Sequence, residues 1–370
     1  MISFFVILII WYQNIYAMSA ESAIVMDADN GRVLYQHNSY EKRGIASTTK
    51  IMTAIIAIEK CNLDEIVTVS YKAASTEGSS MYLKPNEKIT VENLLYGLML
   101  NSGNDAATAF AEHISGNIEE FAKLMNKKAK EIGMKNSSFA NPHGLDNKNH
   151  YSTAYDMALL TKYAMKNEVF KTIVGTSQKI IESDDNKYKY LTNHNKLLSM
   201  YEWCKGVKTG FTKKSGRCLV SYSEKDGVKL ICITLNAPDD WNDHMNLYNM
   251  IFDKYTHYNI VNNNDYICSI NVENAKEKSL KLYCCKSINL TLNKDEYKNL
   301  KVEYNYPNTI KAPIYIGQKV GMLNIKLNNQ VIASSELIAQ YGINKEKKVT
   351  FNDNIRFLFK NLISIFYQHI

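Results

Sequence analysis

Apolar residues follow three rhythms along this 370-residue chain. Residues 51–58 are apolar nearly all round, from Ile51 and Met52 through Ile55, Ile56 and Ile58, which predicts a helix buried on every side. Residues 94–100 predict a second apolar helix, and residues 105–110 begin a third. Ile118, Phe121, Leu124, Met125, Ala129 and Ile132 recur at helical spacing, between a cap formed by Ser115 and Asn117 and a stop at Gly133. Residues 217–222 and 228–235 are β-branched and alternating, and the short polar link between them predicts an antiparallel pair. From about 262 to 349 the chain reads as short strands such as residues 266–270, 280–283 and 319–325, which predicts a small β-sandwich without catalytic groups.

The two ends differ from the rest. Residues 1–11 form an apolar run too short for a membrane span, and Ala17-Met18-Ser19 offers small residues for cleavage. Residues 1–19 therefore read as a signal peptide, although its basic leading region is missing. At the other end, residues 350–370 place Ile355, Leu358, Phe359, Leu362, Ile365 and Phe366 on one helical face, with Lys360, Asn361 and Ser364 off it. That pattern predicts an amphipathic helix lying in a membrane surface.

Composition narrows the function classes. The length points to two domains, and 45% hydrophobic residues make the chain globular. A net charge of +7, with lysine interleaved among acidic residues, permits attraction to anionic lipid or wall polymer and does not point to nucleic acid. Seven cysteines, scattered and odd in number, form no disulfide framework. No glycine-rich phosphate loop and no Cys/His zinc spacing occurs, so no metal or organic cofactor is implied.

Chemistry concentrates in three short motifs: Ser47-Thr48-Thr49-Lys50, Ser102-Gly103-Asn104 and Lys208-Thr209-Gly210. Ser47 lies at or near the start of the first buried helix, and Lys50, three residues on, shares its face. The positive end of the helix dipole and burial both disfavour a charged Lys50. A neutral amine is what activates a serine hydroxyl. Ser102 and Asn104 sit in a turn between two apolar helices, where Ser102 could relay a proton and Asn104 bind a substrate amide. Lys208 and Thr209 precede the strand pair and would present charge and hydroxyl to a carboxylate, while Gly210 lets the backbone approach closely. Each motif alone has a plain reading as a helix cap or turn. Their ordered coincidence in one domain points to attack on an acyl carbon through a covalent ester on Ser47.

With these motifs, and with residues 22–27 and 33–35, 46–54, 100–107, 141–145, 151–158 and 206–212, the chain resembles the low-molecular-weight penicillin-binding proteins. More narrowly, it resembles the serine-type D-alanyl-D-alanine carboxypeptidases of peptidase family S11, including sporulation-associated ones of Gram-positive bacteria. The resemblance spans residues 20–255 and weakly continues to about 340. It implies an α/β (α+β) fold: an antiparallel sheet flanked by helices, as in β-lactamase/transpeptidase-like proteins. The expected organisation is a signal peptide (1–19), a peptidase domain (20–258), a β-sandwich (262–349) and an anchor helix (350–370). It also implies an acyl-enzyme on Ser47, Lys50 as proton acceptor, Ser102 as second active serine and Lys208 as substrate binder. The oxyanion would be held by the backbone N–H groups of Ser47 and Phe211. Some members carry an arginine for the terminal carboxylate where this chain has His194. Lys208 and Thr209 would then bind the carboxylate alone or with a protonated His194. His143, in a structured turn, reads as an anchoring hydrogen bonder and not as part of a Ser-His-Asp triad, because a lysine already holds the required place.

The reading that follows is an exported enzyme at the outer face of the cytoplasmic membrane. It would remove the terminal D-alanine from peptidoglycan pentapeptide stems and take β-lactam antibiotics as covalent inhibitors. The rivals are a class A-like β-lactamase, a cross-link endopeptidase and a catalytically silent wall-binding protein. Between residues 104 and 208 no Glu-x-x-Leu-Asn element appears that would hold a deacylating water.

Overall fold

The computed structural model describes residues 18–182, 188–346 and 355–360. The chain divides into two compact units at His257/Tyr258. In the first, five antiparallel strands form one sheet in the order Val33–His37, Ser22–Asp27, Val228–Leu235, Gly216–Lys225, Cys204–Thr212. The strand Ser22–Asp27 is buried at every position, because helices cover both faces of the sheet. Ile24 and Met26 join the large helical core, while Val25 points the other way, onto the helix Asp240–Lys254 with Leu230 and Cys232. This is the period-two alternation of a strand with two buried faces, so the sequence shows a continuous apolar run. The turn into the neighbouring strand is local chemistry. Asp27 accepts from the backbone N–H groups of Asp29 and Asn30, and Gly31 takes φ +83°.

The helix predicted at residues 51–58 spans Lys50–Lys60 and is buried from Lys50 to Ala57. It runs through the helical core, which is why its sequence lacks a polar face. A short 3₁₀ turn, Ala46–Thr49, leads into it, so Ser47 precedes the first α-helical residue. The helices Val91–Met99 and Asn104–Ser115 flank the Ser102 turn as expected. Asn117 caps the helix Ile118–Ile132 through Glu120 N–H, and Gly133 ends it in the left-handed conformation. The four most buried cysteines are Cys204, Cys218, Cys232 and Cys284, and all seven are free thiols.

The second unit holds a six-stranded sheet in the order Lys301–Asn305, Lys319–Leu327, Gln330–Ala339, Ser279–Cys284, Tyr266–Glu273, Thr309–Lys311. A two-stranded ribbon, Tyr255–Val261 with Ile288–Asn293, closes its core through Val261, Leu290 and Leu292. The predicted signal segment lies almost wholly outside the described residues, and so does most of the predicted anchor helix. Of the latter, Ile355–Lys360 is helical, with Phe357, Leu358 and Phe359 exposed.

Candidate active site

Ser47 and Lys50 meet at the start of the buried helix. Lys50 Nζ lies 2.9 Å from Ser47 Oγ, 2.7 Å from Asn104 Oδ1 and 2.7 Å from the carbonyl oxygen of His143. A neutral amine has two N–H bonds and one lone pair. Asn104 and the His143 carbonyl take the two N–H bonds, which turns the lone pair toward the Ser47 hydroxyl. Lys50 is fully buried, and its pKa is held well below the usual lysine value, first by burial and then by the charge of Lys208.

The backbone around this pair is held in unusual conformations. Ala46, immediately before Ser47, has φ +44°, and Ser102 has φ +58°. Non-glycine residues reach this region at a cost of about 1–3 kcal/mol and keep it only where their surroundings enforce it. For Ala46 the enforcing contacts are visible. Its carbonyl accepts from Thr49 Oγ1 at 2.8 Å, and Thr49 Oγ1 lies 2.7 Å from His150 Nε2. His150 Nδ1 accepts from Ala140 N–H, so Nε2 carries the proton and donates to Thr49. Burial lowers the His150 pKa to about 4, which keeps it in this neutral form. The turn at residues 141–144 completes the support. Asn141 Oδ1 accepts from Gly144 N–H, and Thr53 Oγ1 donates to the Pro142 carbonyl. A side chain at Gly144 would collide with the Ala46 carbonyl, its Cβ lying 1.9 Å from the oxygen.

The edge strand Cys204–Thr212 runs past the nucleophile. A Cβ at Gly210 would stand 2.9 Å from Ser47 N and 3.0 Å from Thr48 N, so only glycine lets strand and turn approach this closely. That approach sets the backbone of Gly210 beside the Ser47 N–H, with Phe211 next along the strand. Ser47, Ser102, His194, Thr209, Gly210 and Phe211 line one cavity of about 340 Å³. Lys50, Asn104 and Lys208 stand behind its wall, all buried. Lys208 Nζ donates to the Thr209 carbonyl at 3.0 Å, and burial pushes its pKa down to about 7.

Residues 12–239 match the family model described as D-alanyl-D-alanine carboxypeptidase, and residues 255–345 match that of the penicillin-binding protein 5 C-terminal domain. The chain belongs to the D-alanyl-D-alanine carboxypeptidase family. Among its relatives, it is 37% identical over 344 residues to the D-alanyl-D-alanine carboxypeptidase DacF of Bacillus subtilis, covering 90% of this chain and 88% of that one. It is 31% identical over 347 residues to DacC of Escherichia coli, covering 88% and 85%. The crystal structure of penicillin-binding protein 5 from Haemophilus influenzae superposes with a TM-score of 0.76 at 28% identity, covering 89% of this chain and 98% of that one.

In this carboxypeptidase, two residues read from the sequence as substrate contacts sit differently. Asn104 does not line the cavity. Its Oδ1 holds Lys50, and its Nδ2 donates to the Glu77 carbonyl at 2.6 Å, so both ends of the amide are engaged inside the fold. The reason is depth: Asn104 is the first residue of a helix whose opening turn is buried. His194 does line the cavity, but burial, and after it the charge of Lys208, lower its pKa below the ordinary histidine value. At neutral pH it is uncharged and cannot serve as the cation for a carboxylate. His143 anchors Leu145 N–H through Nδ1, and its pKa falls to about 3, so its imidazole is no base for Ser47.

Three features of the carboxypeptidase site lie beyond the motifs. His150 acts on the nucleophile turn from 101 residues away. Asp105 is buried and accepts from Ser80 Oγ and from the backbone N–H groups of Met81 and Leu83, which fixes the segment bearing Ser79 on the cavity wall. Arg217 and Asp240 supply the cavity with an anchored guanidinium. Arg217 Nε and Nη2 lie 3.0 and 2.6 Å from Asp240 Oδ1, and the guanidinium sits 5.5 Å from the centre of the Trp241 ring. An aromatic residue following an acidic one at a helix start was the available signal, and nothing in it named Arg217 as the partner.

Proposed function

We propose that this carboxypeptidase removes the terminal D-alanine from peptidoglycan stem pentapeptides through an acyl-enzyme on Ser47. The observation that carries the reading is the Lys50 amine, held neutral and aimed at the Ser47 hydroxyl by Asn104 and the His143 carbonyl. Lys50 takes the hydroxyl proton as Ser47 Oγ attacks the penultimate D-alanine carbonyl. The N–H groups of Ser47 and Phe211 receive the developing oxyanion, a contribution of about 3–4 kcal/mol per donor in comparable sites. Ser102, on the same cavity, relays the proton from Lys50 to the departing amine, so that Lys50 is again neutral and Ser102 keeps its hydroxyl. Water then cleaves the ester and returns Ser47. β-Lactams enter the same path and stop at the acyl-enzyme. The carboxylate lining the cavity, Asp240, is tied to Arg217, and no glutamate lines it among the described residues. Nothing there holds a water for rapid deacylation, which disfavours a β-lactamase.

The terminal carboxylate of the substrate falls to Arg217, together with Thr209. Arg217 is fixed by Asp240 and keeps N–H donors free for a second carboxylate, whereas His194 is neutral. Arg217→Gln should lower kcat/KM for a peptide ending in a free acid by about 10–100-fold, the worth of a charge-assisted hydrogen bond. The same peptide capped as an amide should lose little. Equal losses on both substrates would remove Arg217 from this role.

A wall substrate calls for export, and the N-terminal segment is proposed as its signal. The exposed Phe357, Leu358 and Phe359 support an anchor lying in the membrane surface. No helix among the described residues is long and apolar enough to cross a membrane. Deleting residues 350–370 should move the processed protein from the membrane fraction to the soluble one. A shortened protein that still sediments with membranes would dismiss the anchor.

A further inference from the structure

We propose that Cys61, Glu65 and His113 bind a zinc ion that clamps together the far ends of the two helices whose near ends carry Lys50 and Asn104. Cys61 closes the helix Lys50–Lys60, Glu65 stands just before the strand Ile66–Thr68, and His113 lies in the last turn of the helix Asn104–Ser115. Their ligand atoms all lie within 4.8 Å of one another, and His113 Nε2 is 2.7 Å from Glu65 Oε1. Zinc is held by thiolate, imidazole and carboxylate at about 2.0–2.3 Å in a tetrahedron, whose edges are then roughly 3.3–3.6 Å long. Those edges fall between the 2.7 Å of the His113–Glu65 contact and the 4.8 Å within which all three ligand atoms lie.

The donor set is the one this metal prefers. Sulfur and imidazole nitrogen exclude calcium and magnesium, which take oxygen ligands. Glu65 is already oriented for binding. Its Oε2 accepts from Asn62 N–H at 3.3 Å, which leaves Oε1 facing His113. Cys61 and Glu65 are half-buried and His113 is more exposed, so the fourth position is open to water. On binding, the Cys61 thiol gives up its proton to solvent, and His113 binds as neutral imidazole through Nε2. Zinc replaces the present hydrogen bond between Glu65 and His113, joining the same turn and helix and adding the Cys61 sulfur. No short sequence motif announces the site, because its ligands come from two helices and a connecting turn, 48 residues apart for Glu65 and His113.

The position gives the ion a structural role. A helix of 11 residues is about 16 Å long, which keeps the clamp away from the acyl-transfer chemistry. The clamp instead sets the relative position of the two helices that bring Lys50 Nζ to Asn104 Oδ1. The inference stands on its own residues and does not depend on the substrate assigned to Ser47.

The test uses the full chain with cobalt(II) and zinc(II) as probes. One equivalent of cobalt should give a thiolate-to-cobalt charge-transfer band with the intense visible bands of tetrahedral cobalt, and zinc should displace it. Cys61→Ser should abolish the charge-transfer band, and His113→Ala should weaken binding at least tenfold. Zinc at a hundred times its Kd should raise the Tm by about 5–10 °C, and should leave that of Cys61→Ser unmoved. Labelling of Ser47 by a fluorescent penicillin establishes that each variant is folded. Three results would overturn the proposal: no charge-transfer band with the unmodified chain, the same band in Cys61→Ser, or an unchanged Tm in zinc. The last would leave Glu65 and His113 as a hydrogen-bonded pair beside a thiol.

Discussion

Ser47→Ala should lower D-alanine release by a factor on the order of 10⁴–10⁶, the scale on which loss of a nucleophile acts in other serine enzymes. Covalent labelling by penicillin should vanish with it. The fold should survive the change. Ser47 is only partly buried, and the conformation of its turn is held by Thr49, His150 and Gly144. The variant should still bind pentapeptide with near-normal affinity, because Arg217, Thr209 and the edge strand are untouched. Loss of the acyl-enzyme with binding retained separates a nucleophile from a residue that merely shapes the site. A variant that still carries covalent penicillin would show that another hydroxyl, with Ser102 the first to consider, forms the ester.

Lys50→Met should cost on the order of 10²–10⁴ in acylation rate, the usual contribution of a positioned base. The substitution removes a buried amine and leaves Asn104 Oδ1 and the His143 carbonyl without their donor, a penalty of about 1–3 kcal/mol each. Lower stability is therefore expected as well, and thermal melts must accompany the kinetics. The decisive readout is the pH profile. Lys50 accepts a proton from Ser47 only when uncharged, so kcat/KM rises with pH as Lys50 loses its proton. We propose that Lys208 assists while charged; burial holds its pKa at about 7, so activity should decline as it deprotonates. The charge on Lys208 is itself one of the causes that keep Lys50 neutral. The two amines thus share a proton, and the limbs of the bell belong to the pair. In Lys50→Met the ascending limb should disappear while the descending one persists. A variant that keeps both limbs would place the base elsewhere.

These expectations rest on parts of the site that the sequence makes legible to different degrees. Ser47 and Lys50 are three residues apart, so helical geometry alone brings them together, and the all-round apolar run after them announces burial. The Ser102 turn is also local, flanked by two apolar helices. The function of Asn104 was not legible, because whether an amide faces the cavity or the lysine depends on how deeply the helix start is packed. His150 and Thr49, like Arg217 and Asp240, are joined only by the fold. Periodicity reports which face of an element is buried and says nothing about which distant polar side chain will meet it. The sheet shows the same division. The strands Gly216–Lys225 and Val228–Leu235 were readable as a hairpin, but their place between Ser22–Asp27 and the edge strand Cys204–Thr212 required long-range pairing. The helix Asp240–Lys254 lacked a clean signal, because His244 and Asp243 are buried in it. His244 bonds to Ser221 and Thr234, and Asp243 to Ser19.

The central claim is that Lys50 delivers Ser47 to the penultimate D-alanine carbonyl. Mass spectrometry of the purified chain incubated with a muramyl pentapeptide, and separately with penicillin, addresses it most directly. The account predicts tetrapeptide and free D-alanine from the first, and from the second an adduct of one whole penicillin on the peptide containing Ser47, decaying slowly. An intact pentapeptide after prolonged incubation, or an adduct on any residue other than Ser47, would contradict it.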